Sequence, residues 1–294
     1  MSRTLTWFSA LLVLLVAVLV PALPANAGPE TTCAPQLAAA KAVEAKITAH
    51  NARPHVFELP RQAAAYAQYN AEAATLNAEQ ATIKAQLQAC LEAYLALVGP
   101  GAGTRPPDLP AIPADKQAEL LAAIKKLPPN WTPPPAPTPG DYWRVPKGTP
   151  ARPIYDILRK NNPAPVGNVS LRGQARPAPG ALDPAYGTCN CTFKTNAAGL
   201  SASSPDHIIP LAEIVNMPNF MRLTPANMWT VTRAPVNYQW LSFSSNQSKS
   251  SRSVAGMSGV DPGWQATQVR LENEVRTQLQ EIINKLLKSQ GKPG

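Results

Sequence analysis

Apolar residues recur at an interval of seven along one stretch of the chain: Tyr69, Leu76, Ile83, Cys90 and Leu97, with Ala73, Leu87 and Tyr94 each four residues behind a leader. Such spacing lays one apolar seam along a long helix. Cys33, Leu37, Ala40 and Ile47 repeat the pattern upstream, so residues 33–97 are expected to form an antiparallel helical hairpin. The segment between the arms, Asn51 to Pro60, holds two prolines that break the helix. From Gly99 to Pro153 the chain carries fifteen prolines, including the run Pro133-Pro134-Pro135. Within it Ala114 to Leu127 reads as a short amphipathic helix, and the rest as an extended, semi-rigid spacer.

Beyond about residue 142 the pattern shifts to short strand-like runs separated by Asn, Ser and Gly turns. It closes in an amphipathic helix, capped by Asp261, opened by Pro262, and striped by Leu271, Val275, Leu279, Ile282 and Leu286. The fold class expected is α+β. Four parts follow: a leader over 1–27, a helical hairpin or coiled-coil module over 28–98, a proline-rich linker over 99–141, and a C-terminal domain over 142–294.

Composition narrows the classes. The chain has 294 residues, 45% hydrophobic and 15% charged, which is too apolar for a wholly disordered protein. Its one long apolar run, Trp7 to Val20, is about 14 residues, shorter than the roughly 20 a spanning helix needs. With Arg3 before it and Ala25-Asn26-Ala27 after it, the run reads as a signal peptide cleaved after Ala27. The protein is therefore expected to be secreted, with no transmembrane segment after cleavage. Export changes the meaning of the four cysteines, which in an oxidising compartment make up to two disulfides. Cys33 with Cys90, and Cys189 with Cys191, are the favoured pairs. The net charge of +9 is uneven. Residues 28–140 carry nine basic and nine acidic side chains, while 141–294 carry seventeen basic against nine acidic. A positive field in that half suits a polyanionic partner.

The chemistry is concentrated between Ser204 and Ser253. Pro205-Asp206-His207-Ile208-Ile209-Pro210 is a strand-like run with an acid and a histidine side by side. Pro235-Val236-Asn237-Tyr238-Gln239-Trp240-Leu241-Ser242 is a second, followed by Asn246-Gln247-Ser248-Lys249. This order of Asp-His, a middle Asn, a polar ligand and a Lys resembles the His-Asn-His (HNH) endonuclease superfamily, whose hallmark is two strands and a helix around one divalent cation, the ββα-metal fold. The resemblance covers about fifty residues and says nothing of 28–140. It implies that His207 is the general base that activates water. It likewise implies that Asp206 is a metal ligand, that Asn237 braces the loop and the histidine, and that Asn246 is a second metal ligand. Many members carry a histidine at that last position, so this chain departs toward an Asp/Asn site.

An imidazole near pKa ~6.5 can take the proton of a water at neutral pH. Oxygen ligands alone favour Mg²⁺ or Mn²⁺ over Zn²⁺. Lys249 and Arg252, read as one helical turn on from Asn246, are expected at flanking phosphates. Side chains alternate along a strand, so a distorted strand end between Pro205 and Pro210 is needed to aim Asp206 and His207 at one point. The gap of thirty residues from His207 to Asn237 implies an insertion over 211–233, with a helix near Leu211 to Met217. Asn227 is a rival for the middle position. His50 and His55 flank the hairpin turn and read as polar turn residues. The tryptophans Trp131, Trp143, Trp229, Trp240 and Trp264 read as core or hinge positions rather than base-stacking platforms.

The reading expected is an exported metal-dependent endonuclease cutting DNA rather than RNA with little base preference, for nutrient scavenging or as an antagonistic toxin. An inhibitor protein is a further partner such an enzyme can have. The competing class is a non-enzymatic exported or envelope-associated binding protein, with the basic half as its anion-binding part. The two separate on whether Asp206, His207 and Asn246 converge.

Overall fold

The computed structural model describes residues 29–98, 111–160 and 170–292; the expected signal peptide and the first part of the proline-rich segment lie outside them. The fold is mainly helical with one small antiparallel sheet, in the α+β class. The hairpin forms as the seam predicts. Helix α1 (Pro29–Thr32) is a single turn, α2 runs Ala34–Asn51, and α3 runs Ala63–Val98. At 36 residues α3 spans about 54 Å. Its alanine-rich composition carries that length, since alanine forgoes no side-chain entropy in a helix. The seam residues Tyr69, Ala73, Leu76, Ile83 and Leu87 are half-buried along it. Cys33 is disulfide-bonded to Cys90, with Cα atoms 5.9 Å apart, and Cys189 to Cys191.

Both histidines of the turn serve structure. His50 is buried, stacks on Tyr69 with ring centroids 4.1 Å apart, and meets Arg53, which also binds Glu72. His55 Nδ1 lies 3.1 Å from the Arg53 carbonyl.

The C-terminal end of α3 continues into the main core. Ala93 and Leu97 pack with Leu120 and Ala123 of α4 (Ala114–Ile124) and with Ile154 and Leu158 of α5 (Arg152–Arg159). The described part of the proline-rich segment is thus no free spacer: α4 is buried on one face and Trp131 packs against the same core. The core is completed by α9 (Pro262–Ser289), which lies along α3. Asp261 caps it, accepting from the Trp264 N–H at 2.8 Å, and Val275, Leu279, Ile282 and Leu286 are buried as the stripe predicts. Ile283 and Leu287 are buried too, which widens the stripe because α9 is packed from two sides.

Strands β1 (Ser203–His207) and β2 (Tyr238–Ser242) form a two-stranded antiparallel ribbon, in which Asp206 pairs with Gln239 and His207 with Tyr238. Between them run α6 (Leu211–Ile214) and α7 (Pro225–Val231); α6 takes the place of the longer helix expected to Met217. Helix α8 (Phe243–Lys249) follows β2 directly and packs on both strands. Ser242 caps it, its hydroxyl accepting from the Ser245 N–H. Among the described residues no helix is long and apolar enough to cross a membrane.

Candidate functional site

The ribbon sorts the expected residues onto two faces, because side chains on a regular strand alternate. On one face Asp206 meets α8. Its Oδ1 accepts from Lys249 Nζ at 3.2 Å and its Oδ2 from Gln239 Nε2 at 3.1 Å. Lys249 is fully buried and also donates to the His207 carbonyl at 2.6 Å. Burial holds the Asp206 carboxyl above its usual range, against the pull of Lys249 and Gln239. Glu272 of α9 stands close enough to Lys249 to feel its charge; desolvation raises its pKa as well, and it binds the Ser253 hydroxyl and the Val254 N–H. Asn246, one turn before Lys249, donates from Nδ2 to Ser204 Oγ at 2.9 Å and to the Pro205 carbonyl at 3.3 Å.

His207 lies on the opposite face. Its ring packs on Tyr238, centroids 4.5 Å apart, and its Nε2 is 3.2 Å from the Thr232 carbonyl. A carbonyl only accepts, so Nε2 carries the hydrogen and the basic lone pair of the neutral ring belongs to Nδ1. Desolvation pushes the His207 pKa down to about 4. The Thr232 carbonyl opposes the shift, and the charges of Lys249 and Arg233 add to it. Arg233 is itself buried, stacked on Trp229 and bonded to the Leu158 carbonyl at 3.2 Å.

Asn237 is buried where β1 leaves the ribbon. Its Oδ1 accepts from the Ile209 N–H at 2.7 Å, its Nδ2 donates to the Ile209 carbonyl at 2.9 Å, and its own carbonyl takes the Ile208 N–H at 2.8 Å. It clasps the backbone just after His207. Asn227, the rival, sits in the first turn of α7 and binds Gln290 at 2.7 Å.

The three residues expected to converge are therefore divided: Asp206 and Asn246 share the α8 side, and the His207 imidazole faces Thr232 and Tyr238. The strand end expected to be distorted is paired regularly through His207. Lys249, expected at a phosphate, is spent on Asp206. Arg252 donates to the Ser248 carbonyl at 3.1 Å and lies over the Tyr142 ring. The divalent cation that the resemblance implies does not fit this arrangement, since both Asp206 oxygens are engaged and an ammonium stands against one of them. Among the described residues no three His, Cys, Asp or Glu side chains gather as a metal set. Gln239 was legible as a neighbour of Asp206 once the strands pair, being two residues after Asn237. Thr232 and Arg233 leave no sequence signal, because they reach His207 across a chain reversal.

The depressed His207 pKa has a consequence for stability. A base whose folded pKa lies below its unfolded value of ~6.5 contributes fully above that pH and loses stability as pH falls toward 4, by about 1.4 kcal/mol per pH unit. Asp206 and Glu272, with raised pKa values, act in the opposite sense. Urea unfolding of wild type and His207→Gln at pH 7 and pH 5 separates the terms. Wild type is expected to lose about 2 kcal/mol more than the variant on acidification, and parallel losses refute the assignment.

None of the protein family models, curated proteins or solved structures with which the chain was compared matches it.

Proposed function

We propose that the chain is an exported nuclease that hydrolyses phosphodiester bonds, DNA rather than RNA, with His207 as its general base. The observation that carries this reading is the His207 imidazole: neutral at pH 7, aimed by the Thr232 carbonyl, and followed by a backbone turn that Asn237 clasps. In the proposed reaction the His207 ring takes a proton from water as the water oxygen bonds to phosphorus. The P–O bond to the leaving oxygen breaks, and that oxygen is protonated from solvent. A pKa near 4 makes a weak base in the free protein. A phosphodiester beside the ring would raise its proton affinity, since an adjacent anion favours the imidazolium. The basic excess of residues 141–294 supports a polyanionic substrate, and the two disulfides accord with export.

The division of Asp206 and Asn246 from the His207 imidazole favours the second reading, a non-enzymatic binding protein with a basic anion-binding half. Asp206 and Lys249 neutralise each other in a buried pair and leave the α8 side without an available carboxylate. Plasmid cleavage by the chain from Gly28 onward, with Mg²⁺, with Mn²⁺ and with EDTA, distinguishes the two. In the nuclease reading His207→Ala is expected to lower the rate about 10²–10⁴-fold. Retained cleavage in His207→Ala sinks the base assignment. Plasmid retardation without any cleavage by the wild type selects the binding protein.

A further inference from the structure

Lys249 has an unusual position for a cationic side chain. It has no exposed surface, and its ammonium reaches two acceptors, Asp206 Oδ1 at 3.2 Å and the His207 carbonyl at 2.6 Å. The carboxylate it meets is 3% exposed, and the second oxygen is taken by Gln239. Behind the pair stands Glu272 from α9, with its own oxygens on Ser253 and Val254. Asn246 lies three residues before Lys249 on α8, hence on the same face of the helix. A carboxylate and a fixed positive charge are therefore buried against each other between strand and helix, with Asn246 on the same face of α8.

A small divalent ion bound to Asp206 would take an oxygen at about 2.0–2.2 Å. That would put it beside the ammonium, where two positive charges in a dry site repel strongly. The ammonium also has an advantage that a free ion lacks, because it is tethered to the fold and reaches the carboxylate without diffusing to it. We propose that Lys249 is the built-in cation of this buried site and closes the Asp206 carboxylate to divalent metal ions. The inference rests on the reading of Asp206 and Asn246 as site residues. It does not depend on whether the chain cuts DNA.

Removing the ammonium opens the Asp206 carboxylate to a divalent ion. The test uses the full chain and Mn²⁺ alone, with free Mn²⁺ followed by its paramagnetic resonance signal and binding heat measured in parallel at pH 7.5. Wild type and Asp206→Asn are expected to bind Mn²⁺ indistinguishably. Lys249→Met is expected to gain one site at least tenfold tighter than any in the wild type, and Asp206→Asn/Lys249→Met to lose it. A Mn²⁺ site in the wild type that Asp206→Asn abolishes overturns the proposal. So does a folded Lys249→Met protein, judged by its circular dichroism and cooperative melting, that gains none. Should that variant fail to fold, Lys249→Gln, which keeps an N–H donor for the Asp206 and His207 acceptors but no charge, takes its place in the same comparison, with the same outcomes. Plasmid cleavage is not a readout here, so failure of the nuclease reading leaves the result interpretable.

Discussion

Lys249→Met is expected to lower the stability of the protein by about 3–5 kcal/mol in urea unfolding at pH 7.5, the cost of breaking a buried ion pair by removing one partner. The pair itself need not stabilise the fold that much. Desolvating both charges offsets most of their attraction, so Asp206→Asn/Lys249→Met, which removes both, is expected to recover most of the loss. The single variant leaves a carboxylate with 3% exposure and, among the described residues, only Gln239 as a partner, and strands the His207 carbonyl that Lys249 had satisfied. Its cost should also depend on pH in a defined direction. Burial already holds the Asp206 carboxyl above its usual range, and Lys249 opposes that shift. Without the ammonium the folded pKa rises further, so the folded protein binds a proton that the unfolded chain does not. The loss is therefore largest above that pKa and shrinks as pH falls from 8 toward 5. A Lys249→Met protein within 1 kcal/mol of wild type at pH 8 would mean that the pair is not formed.

Local periodicity reveals a good deal of this molecule. The interval of seven locates both arms of the hairpin and places Cys33 and Cys90 on facing seams, and the stripe from Leu271 to Leu286 locates α9 with its Asp261 cap. These features are visible because a helix repeats its environment every three to four residues. What periodicity does not carry is which helix meets which. The packing of α3 along α9 and the burial of Leu120 depend on contacts between segments far apart in the chain, and a proline-rich composition around α4 hides an element that belongs to the core. The candidate site divides in the same way. Residue types and spacing single out Asp206, His207, Asn237, Asn246 and Lys249, and the structure puts all five at or beside the ribbon. The faces they occupy follow from register. Regular pairing through His207 sends neighbouring side chains to opposite sides, and Lys249 turns inward because α8 starts directly at Ser242 and leaves its last turn over β1. Lysine also reads as surface in any sequence, since it is rarely buried without a partner.

Asn237→Ala is expected to destabilise the protein by about 4 kcal/mol, because one side chain satisfies both polar groups of a buried peptide segment. The Ile209 N–H and carbonyl lie on a residue with no exposed surface, and each loses a side-chain partner when the amide is removed. An orphaned buried group costs about 1–3 kcal/mol, and the truncation adds a small cavity. Asn237→Asp discriminates the clasp from simple filling of space. At pH 7.5 the aspartate keeps an acceptor for the Ile209 N–H, yet turns a second oxygen toward the Ile209 carbonyl and buries a charge. It should therefore be at least as unstable as the alanine variant. Protonation makes that oxygen a donor again, so Asn237→Asp should regain stability as pH falls while Asn237→Ala does not. The same comparison bears on function. Ile209 stands two residues after His207, and Ile208 is bonded to the Asn237 carbonyl, so the clasp fixes the point at which β1 turns away from the ribbon. If the clasp aims the imidazole, a folded Asn237→Ala protein should show a His207 pKa moved up from about 4 toward its ordinary value in proton NMR titration. If the clasp does not aim the imidazole, the His207 titration will be unchanged even though the fold is weaker.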